Sequence, residues 1–214
     1  MSVRDAAGEV DVGRRSELAL SREVIARTAL AILDEEGVRG LTVRGIAGRL
    51  GVQSPSLYNH VASKDEILDA VTELIGREID VSGLDDPDWR RGMSAFARSY
   101  RQAFRAHPDA LALIARRAVE TQPALATYDA ALRALLRAGW PSAEALQLLA
   151  AIDYLVLGSV LVPFTGGFVR RPAEYADGYP SLAAALAGAP DLAELDDSGF
   201  ERGLAALLRA GPAG

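Results

Sequence analysis

The chain has 214 residues, half of them apolar, 24% charged and 6% aromatic, which is material for one or two domains with a sizeable core. It contains no cysteine, so a disulfide framework and a thiolate metal site are excluded. A net charge of −6 argues against nucleic acid, but residues 1–64 hold 9 cations and 8 anions while the remainder holds 14 and 21, so a near-neutral head on an acidic body would orient itself on DNA.

The first residues, MSVRDAAGEV, lack an apolar run, so no signal peptide is expected. The longest apolar run, residues 146–162, is short for a membrane span and carries Asp153 at its middle. A cytoplasmic protein is therefore expected. Residues 1–20 mix small and charged types without period and read as a flexible arm. Ser21 is placed to cap a first helix, whose apolar stripe of Val24, Ile25, Thr28, Ala29, Ile32 and Leu33 runs up to the Asp-Glu-Glu-Gly at 34–37.

Residues 42–64, TVRGIAGRLGVQSPSLYNHVASK, parse as two short helices joined by a tight turn. Thr42 is a good N-cap, Val43, Ile46, Ala47 and Leu50 follow at helical spacing, and Gly51 stops the helix. Ser54 and Pro55 then read as a capping hydroxyl followed by a proline at the first helical position. In that second helix Leu57 and Val61 can pack inward, leaving Ser56, Asn59 and His60 on a face able to hydrogen-bond base edges. A plain helical hairpin with a solvated polar face is the competing reading. Charge weighs against it. Residues 37–64 carry Arg39, Arg44, Arg49 and Lys64 with no Asp or Glu, and Arg44 and Lys64 fall in first turns, where the helix dipole disfavours cations. Phosphate is the natural partner for such cations.

Downstream, Ser63-Lys64-Asp65-Glu66 has the pattern of a capping box, and Ile67, Leu68, Val71, Leu74 and Ile75 carry a helix to about Asp80. The Asp85-Asp86-Pro87-Asp88 run marks a boundary between a unit at 21–80 and one at 81–214. Trp89, Met93, Phe96, Tyr100 and Phe104 then form one stripe, and His107-Pro108 breaks that helix. Further helices are predicted from Pro108 to about Val119 and from Pro123 to the Gly139-Trp140-Pro141 turn. Residues 142–164 are apolar on two sides, so that helix needs burial on both, and a last helix at 198–210 offers Phe200, Leu204, Leu207 and Leu208 as a second stripe. Residues 166–180 between them read as a loop rich in Gly, Pro and Tyr.

Arg44, the run from Ile46 to Leu50, the turn, SPSLYNHV and the following SKDEIL together resemble the DNA-binding domain of the tetracycline repressor (TetR) family of bacterial regulators, over about residues 21–79. The remainder is similar, more loosely, to that family's regulatory half. The resemblance implies an all-α fold, with an N-terminal three-helix helix-turn-helix domain and a helical C-terminal domain for ligand binding and dimerisation. It implies a repressor that binds a palindromic operator as a homodimer, through the helices at 142–164 and 198–210, and that a small-molecule effector releases. Arg44 would then reach a base edge; Ser54, Pro55, Ser56 and Asn59 would face bases; Tyr58, His60 and Lys64 would hold phosphates. Asn59 stands where the tetracycline repressors carry tryptophan, so the resemblance does not fix the operator sequence.

Those repressors hold a magnesium chelate through a histidine and a glutamate whose places here fall to Ile114 and Val162, which argues against tetracycline. Candidates for the lining of an effector cavity are Tyr100, Phe104, Arg116, Gln147, Tyr154 and Phe164, with Asp153 as a polar contact suited to an amine. Each also has a plain role in packing, solvation or ion pairing. No cofactor or metal is expected, and an enzyme is disfavoured: His60 and His107 are the only histidines and no nucleophile elbow or phosphate-cradling glycine motif occurs. The alternative is a helical small-molecule-binding or protein-interaction module that does not touch DNA.

Overall fold

The computed structural model describes residues 20–189, 191–209 and 211, so the arm expected at 1–20 lies, apart from Leu20, outside the described residues. Ten α-helices and three short 3-10 turns account for the described architecture, with no strand among the described residues. Three N-caps form as the sequence predicts. Ser21 Oγ accepts from the Val24 N–H to open α1 (Arg22–Glu36), and Thr42 Oγ1 accepts from the Gly45 N–H to open α2 (Val43–Leu50). Gly51 ends α2 at φ 69°, in the left-handed region where a side chain would be strained. The third helix, α3 (Ser54–Leu57), departs from expectation: its N-cap is Gln53, without a side-chain cap bond, so Ser54 lies inside the first turn and does not cap it. Ser63 Oγ accepts from the Glu66 N–H at the start of α4 (Lys64–Gly76). Glu66 returns its carboxylate one residue further out than a regular capping box, to the Ala62 N–H at 2.6 Å.

Helix α4 stops at Gly76, short of Asp80, because Asp80 belongs to the next turn: its N–H donates to Ser99 Oγ and its carboxylate accepts from the Ser82 N–H. A 3-10 turn, Ser82–Asp85, then lies against α5 (Trp89–Ala106), an approach that Gly92 permits, since a Cβ there would stand 2.3 Å from the Gly83 carbonyl oxygen. After α6 (Pro108–Ile114), also shorter than expected, residues 115–121 run without regular helix into α7 (Gln122–Arg137). Helix α8 (Ser142–Leu161) ends ahead of Pro163, which disfavours helical backbone at Val162. The expected loop contains two 3-10 turns, Thr165–Gly167 and Pro172–Tyr175, and leads into α9 (Pro180–Gly188), a helix the sequence reading did not anticipate. The last helix, α10 (Leu192–Leu208), begins six residues ahead of the expected 198.

Two cores result. The first joins Ile25, Ile32 and Leu33 of α1 to Ile46, Leu57, Val61, Ile67, Val71 and Ile75, and it continues into Leu111 and Ile114 of α6 and Phe104 of α5. The head thus shares its core with the helix that follows the α5–α6 corner. The second core packs Met93, Phe96, Leu135, Leu149, Ile152, Val156, Phe200 and Leu204 between α5, α7, α8 and α10. Arg101, only 8% exposed, ties this layer together: Nε donates to Ser159 Oγ at 3.0 Å, Nη1 pairs with Asp197 at 2.8 Å, and the guanidinium lies over the Phe200 ring. By length and composition α8 could cross a bilayer, yet it packs between α5, α7 and α10. Its other side leaves Leu146, Tyr154 and Leu161 exposed, continued by Val162 and Phe164. Beside that side, a groove between α8 and α10 runs past Gly158 and Gly199, where a Cβ would meet nothing within 4 Å.

Candidate nucleic-acid interface and effector cavity

Leu57 and Val61, 0% and 2% exposed, anchor the polar segment after α2. Although regular helix ends at Leu57, the winding continues: Tyr58 N–H donates to Pro55 O, His60 N–H to Leu57 O, and Val61 N–H also to Leu57 O at 3.0 Å. Pro55, Tyr58, Asn59 and His60 are exposed and Ser54 and Ser56 half-buried, so an amide, a phenol and an imidazole are open to solvent with two hydroxyls partly so. Arg44 stands exposed in the first turn of α2 and, among the described residues, makes no ion pair. The four cations of residues 37–64 are not equivalent. Arg49 is held by Glu35 at 2.7 Å and Glu36 at 2.8 Å, carboxylates just ahead of the acid-free window, so it braces α2 on α1. Lys64 is exposed, but its Nζ donates to the Leu41 carbonyl at 3.0 Å, which fixes the start of α4 against the residue preceding the α2 cap.

Behind the head, α4 to α8 line a partly open cavity of about 170 Å³. Phe96, Tyr100 and Phe104, on one face of α5, supply an aromatic wall, with ring centroids 5.9 Å and 5.2 Å apart. Asp153 of α8 also lines the cavity, and its Oδ1 accepts two hydrogen bonds, from Tyr100 Oη at 2.7 Å and from Tyr128 Oη at 3.0 Å. Burial and the neighbouring negative charge raise both phenol pKa values, that of Tyr128 to about 12, so both hydroxyls stay protonated donors. Arg117, from the irregular segment after α6, also lines the cavity. Its Nη1 pairs with Asp65 and its Nη2 with Asp69, each at 2.7 Å, and these carboxylates hold the guanidinium pKa above its usual value, Asp69 foremost.

Of the residues singled out from the sequence, the cavity brings together Tyr100, Phe104 and Asp153. Arg116 and Gln147 are exposed, Tyr154 is 74% and Phe164 61% exposed, and none of the four is on the cavity wall. Ile114 is on that wall, whereas Val162 is 75% exposed and outside it. Sequence reasoning missed Tyr128 and Arg117. Asp65 and Asp69, four apart on one helix face, were the available signal that a cation would dock there.

Residues 25–71 match the family described as bacterial regulatory proteins, tetR family, and residues 83–211 match the tetracyclin repressor-like C-terminal domain. The chain belongs to the TetR family. It is accordingly a DNA-binding transcriptional regulator, and its family relatives are regulators rather than enzymes. Tetracycline repressor protein class A from transposon 1721 of Escherichia coli is 37% identical over 195 residues, spanning 88% of this chain and 89% of that protein. An HTH-type transcriptional regulator of Saccharopolyspora erythraea is 35% identical over 146 residues, 68% of this chain and 62% of its own length. Among solved structures, the Streptomyces coelicolor TetR family protein ActR in complex with actinorhodin matches with a TM-score of 0.74 and 26% identity, covering 91% of this chain and 98% of that one. TetR from Acinetobacter baumannii AYE matches with a TM-score of 0.64 and 29% identity over 89% and 95% of the two chains. In this TetR-family chain, then, Arg117 touches both the cavity and α4.

Proposed function

We propose that the chain is a ligand-responsive repressor that binds a palindromic operator as a homodimer in the cytoplasm and leaves it when a small molecule enters the cavity between α4 and α8. The observation that carries this reading is Arg117, which borders the cavity and grips the first two turns of α4 through Asp65 and Asp69. Helix α4 in turn holds the head through the Lys64 bond to Leu41 and through Arg22 on Glu73. A ligand that draws Arg117 or the α6 end toward itself therefore shifts the recognition segment, and it lowers DNA affinity by its preference for the shifted state.

On the operator, Arg44 reads a base edge in the major groove; Ser54, Pro55, Ser56 and Asn59 face bases; Tyr58, His60 and Lys64 hold phosphates. The exposure of Arg44, Pro55, Tyr58, Asn59, His60 and Lys64, with Ser54 and Ser56 half-buried, supports those roles. The second copy seats on the apolar side of α8 and the α8–α10 groove, where Leu146, Tyr154, Leu161 and Phe164 otherwise face water. Two-fold pairing sets the recognition segments on half-sites about one helical turn, or a multiple of it, apart. Ile114 and Val162 offer no metal ligand, so the effector is not held there as a chelate. Selection of bound sequences from a random duplex pool, at stated salt, tests this reading. An enriched inverted repeat is expected; a folded protein that enriches no motif at low salt would overturn it.

A further inference from the structure

Two formally charged side chains line the cavity, Arg117 and Asp153, and their situations differ. The charge of Arg117 is already met by Asp65 and Asp69. Asp153 sits midway along α8, a largely apolar helix, and both of its hydrogen bonds come from neutral phenols. Both bonds land on Oδ1. Among the described residues no cation and no other donor reaches this half-buried carboxylate, which lines the cavity. A carboxylate in mostly apolar surroundings, held by two neutral donors, is short of a counter-charge. The same lining includes the rings of Phe96, Tyr100 and Phe104, and aromatic faces attract positive charge.

We infer that the effector is a small organic monocation, a protonated amine or quaternary ammonium on an apolar body, with Asp153 as its counter-ion. The inference rests on the cavity being the effector site. An anionic effector would have to displace Asp65 and Asp69 from Arg117 while lying in the same chamber as an uncompensated carboxylate. A cation meets an acceptor already positioned by two tyrosines and displaces no ion pair. The volume, about 170 Å³, suits one aromatic ring with a short chain, since an apolar cavity of about 150 Å³ takes up benzene.

The test uses the full-length protein and three matched compounds: phenethylammonium, its neutral isostere propylbenzene, and 3-phenylpropanoate. Titration calorimetry of the wild type is expected to rank the cation about tenfold or more above propylbenzene, with the anion weakest. Asp153→Asn keeps the shape and an acceptor for both phenols, and it should abolish the preference for the cation while leaving propylbenzene binding unchanged. Tyr128→Phe, which keeps the charge and removes one neutral donor, should retain or increase that preference, and it carries the test should Asp153→Asn fail to fold. Equal binding of cation and isostere, or a preference that survives Asp153→Asn or falls in Tyr128→Phe, overturns the ligand class but leaves the cavity reading standing. Binding that survives Thr127→Trp, which fills the cavity, lies elsewhere and overturns the cavity reading itself. Failure of all three compounds to bind overturns both.

Discussion

Arg44 shows what one side chain can be asked to do in this head. Its neighbour in the same helix, Arg49, is neutralised by Glu35 and Glu36, and Lys64 spends a donor on Leu41, whereas Arg44 makes no ion pair among the described residues. A guanidinium left free near the positive end of a helix is available to a guanine edge or a phosphate. Replacing it by alanine should cost about 1–3 kcal/mol of operator affinity and relax preference at one base pair of each half-site. Competition binding against a panel of single-base operator variants measures this; an unchanged affinity and specificity profile would remove Arg44 from the base-reading set. His60 and Asn59 differ from it in kind, because they sit on the winding that Leu57 and Val61 pin to the core.

Between elements, a few charge-assisted links supplement the apolar cores. Arg22 at the start of α1 makes two bonds to Glu73 near the end of α4, at 2.7 Å and 2.8 Å, and those bonds hold the Glu73 carboxyl below its usual value of 4.5. Arg98 does the same for Glu201, and Arg105 with Arg101 for Asp197. A carboxyl whose pKa falls on folding contributes stability that is present above its unfolded value and lost as pH drops through the folded one. Urea midpoints should therefore fall as pH is lowered below about 4.5, and Glu73→Gln should show a shallower fall than the wild type. An identical pH profile for the two proteins would mean that the Arg22 link carries no such linkage.

Much at this scale was legible in the sequence. Thr42, Ser21 and Ser63 are caps whose partners lie within three residues, so local chemistry decides them. The Leu57 and Val61 pair was legible for the same reason, a spacing of four. What failed was whatever depended on where regular helix stops. Arg116 follows from continuing the α6 period; once the chain leaves helix at Ile114, it is Arg117 that turns toward α4. Tyr154 directly follows Asp153 and is therefore rotated about 100° around α8, out of the cavity and onto the outer side. Tyr128 gave no signal of its own, because its stripe reads as core until the partner across the cavity is known.

In the whole molecule, the head's core runs without interruption into α6, so the part that meets DNA and the part that closes the cavity share one packing unit. The two-sided apolarity of α8 is divided in the same spirit: Leu149, Ile152 and Val156 serve the core, while Leu146 and Tyr154 are exposed on the side proposed for the contact with a second copy. Charging that contact with Leu146→Glu and Tyr154→Glu should give a folded monomer by sedimentation velocity and reduce operator affinity by about tenfold or more, since one half-site is then bound alone. A variant that sediments as a dimer at micromolar concentration would place the interface elsewhere.

Lys64, finally, is the only lysine in the sequence. An amine-selective reagent can thus mark a single side chain, and that side chain lies on the surface at the junction of α4 with the head. A fluorophore or isotopic tag placed there needs no engineered handle, and it reports on α4 itself. The rate of its attachment becomes a clock for the Leu41 tether: protection in the presence of operator, or acceleration in the presence of an effector, can be read by mass spectrometry from one peptide.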